Sequence, residues 1–187
     1  MNQRILWTAI AILVILLGAG GYAYYRLGRG GSSTESAAAV PPPLATSTPQ
    51  TQEITEGERL YQSTAFHFSL IFPDNLVATE YKEQGGALTA SFQDPNTSEG
   101  FEVYVTPFSG AQIDEARFKL DEPSGTYLQP TEVVIDNVTA TMFYGFNPIM
   151  GDTREVWFVH GGYLYEVATY KQLDTWLGGI MQTWKFI

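Results

Sequence analysis

The chain has 187 residues, a formal net charge of −10 and no cysteine. An acidic chain is repelled by nucleic acid and by anionic lipid, and a chain without cysteine has neither disulfides nor thiol chemistry. Once the N-terminal segments are set aside, the length allows one domain with a core of its own.

Residues 5–25 read ILWTAIAILVILLGAGGYAYY, with Arg4 before, Arg26 after and no charge inside. At about 1.5 Å per residue, a helix over this run spans about 30 Å, the thickness of a bilayer's hydrocarbon core. Trp7 lies near one end, and Tyr22, Tyr24 and Tyr25 at the other, where amphipathic rings meet headgroups. The run has no polar face, so it predicts a single transmembrane helix rather than a core helix of a soluble domain. Ala19-Gly20-Gly21 or Gly21-Tyr22-Ala23 could instead serve as a signal cleavage site, and the length of the apolar run favours retention. Arg4 with the α-amino group balances Arg26 with Arg29, so the flanking charges do not orient the span.

Residues 27–58 are dominated by small, polar and proline residues and show no apolar periodicity, which predicts a disordered linker. Pro41-Pro42-Pro43 stiffens it locally, and a coil of this length reaches about 30 Å. A Ser/Thr/Ala/Pro spacer leading to an acidic domain favours a cell-membrane protein whose C-terminal domain is extracytoplasmic. The predicted organisation is an anchor over 1–26, a linker over 27–58 and a globular domain over 59–187.

In the domain, 65–72 alternates, with Phe66, Phe68, Leu70 and Phe72 on one side and His67, Ser69 and Ile71 on the other. Further strands are expected over 76–81, 87–93 (Leu88, Ala90 and Phe92 inward) and 101–106 (Phe101, Val103 and Val105 inward). A short helix is expected over 111–120, capped by Ser109 and buried through Ile113, Ala116 and Leu120. Two hairpins follow. Residues 131–135 and 138–146 flank Asp136-Asn137, and 154–160 and 163–169 flank Gly161-Gly162. The second pairs Phe158 with Tyr165 and Val156 with Val167 on one face, and Val159 with Leu164 and Trp157 with Glu166 on the other. Both faces carry apolar residues, so this hairpin is expected at the centre of the sheet. Leu173, Trp176, Leu177, Ile180, Met181 and Trp184 form a helical stripe, with Asp174 in the first turn, Gly178-Gly179 on the exposed side and the tail 185–187 tucked against the sheet.

No catalytic signature emerges. Asp94, Asn96 and Ser98 alternate as calcium-loop ligands do, but Glu99 and Val105 stand where such a loop needs Gly and Glu, so a polar turn is the better reading. Asn96-Thr97-Ser98 and Asn137-Val138-Thr139 match the glycosylation sequon and are equally turn residues. His67 is expected near the surface and His160 beside the Gly-Gly turn. Asp114-Glu115 and Asp121-Glu122 read as solvated charge, and Tyr104 and Tyr163 as candidates for a contact surface. No catalytic, cofactor-binding or metal-binding residue is assigned, and no cofactor is expected.

Phe66-x-Phe68-x-x-Ile71-x-Pro73, Val133-x-Ile135, Glu155-x-Trp157-Phe158, Gly162-x-Leu164-Tyr165-x-Val167 and Trp184-Lys185-Phe186 together resemble the PsbP-like fold over about residues 60–187. The resemblance implies an α+β architecture, an antiparallel sheet with helices packed on its faces as an α/β/α sandwich. It also implies a binding or assembly module rather than an enzyme, although no functional residue of the family is matched. The expected role is therefore a non-catalytic module for an unidentified envelope protein. An envelope hydrolase with an unrecognised site and a receptor for a small ligand or cation are the alternatives. Protease added to intact cells is expected to digest the domain; digestion only after lysis reverses the orientation.

Overall fold

Period-two alternation builds this domain, because most strands bury one face and turn the other outward. The computed structural model describes residues 53–187 apart from Ser98 and Pro123. The expected transmembrane helix and residues 27–52 of the expected linker lie outside the described residues. No helix among the described residues is long and apolar enough to cross a membrane.

Among the described residues, ten strands and two α-helices follow in order: β1 (Glu58–Ser63), β2 (Phe68–Pro73), β3 (Val77–Lys82), β4 (Leu88–Gln93), β5 (Gly100–Pro107), α1 (Glu115–Asp121), β6 (Leu128–Ile135), β7 (Val138–Asn147), β8 (Gly151–His160), β9 (Tyr163–Tyr170), α2 (Asp174–Met181) and β10 (Lys185–Phe186). Seven strands form one antiparallel sheet in the order β3-β4-β5-β9-β8-β7-β6, and three form a second in the order β1-β2-β10. The β8–β9 hairpin lies at the interior of the larger sheet, with the expected pairs Phe158–Tyr165, Val156–Val167 and Trp157–Glu166. Its turn glycines take φ of 59° and 85°, and Asp136 and Asn137 take 44° and 67° in the β6–β7 turn. Two consecutive positive φ values are what a two-residue hairpin turn demands.

One face of the larger sheet meets the smaller sheet and α2 in a core of aromatic rings. Trp184 stacks on Phe68 of β2 at 4.4 Å between centroids and meets Phe158 of β8 edge-on at 5.1 Å. Phe92 and Phe101 stack at 4.4 Å, and Tyr165 donates its hydroxyl to the Phe66 carbonyl at 2.8 Å. Leu177, Ile180 and Met181 press α2 into this core. At the first turn of α2, Asp174 accepts two bonds from the Arg154 guanidinium, both at 2.7 Å, which pins the helix to β8. Phe186 pairs with Phe68, so the tail closes the smaller sheet.

Four expectations change. Residues 65–67 turn rather than extend, with His67 at φ 55°, so the strand starts at Phe68. Ser69 and Ile71 are buried because β2 is covered on both sides. An additional strand, β1, precedes it; only Tyr61 and Ser63 of its six residues are buried, too few for a visible pattern. The helix over 111–120 is α1, capped by Asp114 rather than Ser109, with Ala116 and Leu120 exposed. The sandwich is thus uneven, with α2 and the three-stranded sheet on one face and α1 on the other.

An added Cβ at Gly178 or Gly179 meets nothing within 4 Å, and neither residue has positive φ. Replacing either by alanine is expected to stabilise the domain by about 0.5–1 kcal/mol, since glycine costs that much inside a helix. Urea denaturation checks this through the midpoint; an unchanged or lower midpoint contradicts it.

Candidate functional site

The second face of the larger sheet follows from the first. If Val156, Phe158, Tyr165 and Val167 face the core, then Glu155, Trp157, Glu166 and Ala168 face the other way. Pairing extends the rows across strands. Tyr104, Glu166, Trp157 and Thr141 stand abreast on β5, β9, β8 and β7, and beside them stand Glu102, Ala168, Glu155 and Phe143. Three carboxyl groups and three aromatic side chains thus share a face that needs cover.

α1 supplies it. Asp114 caps the helix by accepting from the Arg117 amide at 2.7 Å. Arg117 is ion-paired with Asp121 one turn on, and its guanidinium stands 3.9 Å from Glu166 Oε1. Phe118 sets its ring 5.5 Å from Trp157 and 5.7 Å from Phe143, and Tyr127 closes the group at 4.7 Å from Phe143. After the helix, Glu122 turns in and accepts from Ser124. Gly145 permits that approach, because a Cβ there would lie 2.8 Å from Thr153 Oγ1 and 3.4 Å from Glu122 Oε2.

Asp121, Glu122, Glu155 and Glu166 therefore form a buried cluster with Glu102 alongside. Asp121-Glu122, expected to be solvated, is the clearest correction: Glu122 is 9% exposed and the Asp121 side chain 12%. Asp114-Glu115 is exposed as expected, with Glu115 paired to Lys119 at 2.6 Å. Burial dominates the protonation of the cluster. It pushes Glu155 up to about 7, against hydrogen bonds from Thr153 and Trp157 and helped by the nearby Glu122 and Glu102 charges. Burial and then the Asp121 charge raise Glu166 well above the usual carboxylate range, and burial raises Asp121 and Glu102. The hydrogen bond between these two carboxyls favours the proton on Glu166 and the charge on Asp121. Tyr104 is half-buried, its hydroxyl pushed up to about 12 by burial and Glu166, so it joins this row rather than an open contact surface.

Beside the cluster, under the edge of α1, a groove of about 280 Å³ is lined by Ile113, Phe118, Tyr127, Phe143 and Trp157, with Asp114 and Glu115 among its polar lining. Trp157 separates it from the carboxyls and donates its indole N–H to Glu155 at 3.3 Å. A second groove, about 200 Å³, runs between α2 and the β6–β7 hairpin; its charged residues, Arg154 and Asp174, are committed to each other.

The remaining candidates stay apart. Asp94 spends its carboxylate on the Asn96 amide and the Asn75 side chain, and Ser98 lies outside the described residues. His67 is exposed, as expected. His160 lies over the Phe186 ring at 3.9 Å, and burial lowers its affinity for a proton. Tyr163 packs edge-on to Phe66 at 5.3 Å. No group of three His, Cys, Asp or Glu among the described residues has the geometry to hold a metal ion.

Glu155 binds its proton more tightly folded than unfolded. Its stabilisation is fully present below the ordinary carboxylate value of 4.5 and is lost as pH rises through about 7. The loss amounts to about 3 kcal/mol at one tenfold step per unit. Urea denaturation across that window is expected to show Glu155→Gln with a shallower decline than the native chain. Parallel curves contradict the burial effect.

A scan of known protein families finds no match to the chain, and no curated protein matches it in sequence. The fold does find a counterpart. It is similar to the solution structure of cyanobacterial PsbP (CyanoP) from Synechocystis sp. PCC 6803, with a TM-score of 0.51 and 9% identity. The likeness covers 71% of this chain and 94% of that one, and it establishes a PsbP-like fold.

Proposed function

We propose that the chain is a single-pass, membrane-anchored extracytoplasmic protein whose domain acts as a non-catalytic binding or assembly module for another envelope protein, engaged at the groove beside α1. The observation that carries this reading is the aromatic groove itself. Phe118, Tyr127, Phe143 and Trp157 converge there, the ring types that dominate binding hot spots, and Tyr127 is 43% exposed. Leu120 and Leu128, on and beside the same segment, are exposed too. Asp114 and Glu115 line part of the groove, and the chain carries a net charge of −10. The fitting partner is therefore an apolar or aromatic segment flanked by basic residues.

The groove supports a hydrolase less well. Glu155, held near neutral, accepts from the Trp157 indole and does not line the groove, and the carboxylates that reach the groove are used as a helix cap and in a surface ion pair. A volume of about 280 Å³ also falls just short of the usual range for small-ligand pockets.

A photo-crosslinking phenylalanine analogue at Tyr127, used in intact cells, tests the reading. The expected result is one discrete adduct to an envelope protein through a basic-flanked apolar segment. That adduct should be lost on Trp157→Phe and absent when the probe replaces exposed Val77. Equal labelling from both positions removes the groove as the docking site.

A further inference from the structure

The carboxyl cluster has far more potential negative charge than positive. Glu155 on β8 faces Glu122 from the segment after α1, Glu102 from β5 and Glu166 from β9. Glu166 faces Asp121 and Arg117 from α1. Glu102 faces Glu83 from the turn before β4. β7 contributes Thr141, Phe143 and Gly145 to this face and no charge. Lys119 points away, to Glu115, with its side chain 67% exposed. Arg117 is thus the one cation that faces the cluster among the described residues.

The cover is thin. α1 has seven residues, of which Arg117, Phe118 and Asp121 are half-buried and the other four exposed. It is held down by the Phe118 ring and by groups of the cluster itself, Arg117, Asp121 and Glu122. Each deprotonation places another charge under a helix that cannot supply a second cation. Seating two carboxylates against one guanidinium is tolerable, whereas four or five are not. The cheapest relief is local: the segment lifts, water reaches the carboxylates, and the rest of the sheet keeps its register.

We propose that α1 is a proton-controlled cover, seated while the carboxyl cluster holds protons and lifted as it loses them, so that Phe143 and Trp157 become available to a docking partner. The use of the cover in docking rests on the proposed function above; the lifting itself does not. Burial of the four raised carboxyls supports the direction, since closed-state protons are held above the ordinary carboxylate range. For each group the ratio of lifted to seated forms grows about tenfold per pH unit between its lifted and seated values.

Amide hydrogen exchange on the full chain tests this. The amides of Phe118 and Glu122 bond within α1, to Asp114 and Phe118, while those of β8 and β9 bond within the sheet. After correction for intrinsic exchange, the opening equilibrium of the α1 amides is expected to rise at least about tenfold from about pH 5 to about pH 8. Amides of Val156 and Val167 should stay protected by a far larger factor at every pH, since they open only with the whole domain. Glu155→Gln with Glu166→Gln should flatten the rise, with near-ultraviolet circular dichroism confirming the fold. Glu102→Gln, at the margin of the cluster, should reduce it even if the double variant does not fold. Equal protection of the α1 and β8–β9 amides across this range, or an undiminished rise in a folded variant, overturns the proposal. Crosslinking from Tyr127 at both pH values separates the two readings. A pH-dependent α1 without any adduct leaves the cover and removes the docking role. Equal adduct at both values with flat exchange removes the cover and leaves the docking role.

Discussion

The register of the β8–β9 hairpin is the constraint on which the rest depends. With Gly161-Gly162 as the turn, Phe158 must pair with Tyr165 and Val156 with Val167, and these four side chains enter the aromatic core. Glu155 and Glu166 are then forced onto the opposite face. A slip of one residue would exchange the sets and drive two carboxyls among Trp184, Phe68 and Phe92, which no local adjustment could accommodate. The acidic second face is thus the necessary complement of the apolar first face, and α1 with Arg117 answers the need to cover it.

The sequence shows the hairpins clearly, since turn chemistry and alternation agree there and each supports the other. The stripe of Leu177, Ile180 and Met181 is equally plain, and Asp174 stands where the helix dipole favours it, although its partner Arg154 is far away in sequence and invisible to local pattern. α1 misleads for a physical reason. Apolar spacing selects Ile113, Ala116 and Leu120, on the assumption that a helix buries its oiliest face. The sheet beneath is acidic, so the helix instead presents Arg117, Phe118 and Asp121. The same assumption makes Asp121-Glu122 look solvated. The available clue was Glu166 opposite Trp157, a carboxyl in the interior hairpin that had to be covered by something.

The PsbP-like likeness covers 71% of the chain, and at 9% identity it speaks for backbone architecture alone. The face under α1 is built unlike the aromatic core: a seven-residue helix, one guanidinium and several carboxyls stand where a second apolar layer would. Such a face stabilises the fold less than hydrocarbon of equal area would, because buried ionisable groups recover little of their lost hydration. Buried polar clusters of this kind make one side of a domain responsive while the other stays rigid.

The stacking of Trp184 on Phe68 and the pairing of Phe186 with the same residue carry a consequence for biosynthesis. Strand β2 is made early, yet its partner β10 and the ring that seals it come from the last residues of the domain. Until these have emerged, Phe68, Phe158 and Tyr165 lack their lid, and the growing chain can form hairpins but not its core. Folding is then completed only after synthesis of the domain, through contacts of long sequence separation, which are slow to form. With no cysteine to trap a partial arrangement by a disulfide, the unfinished chain can rearrange freely until those last residues arrive.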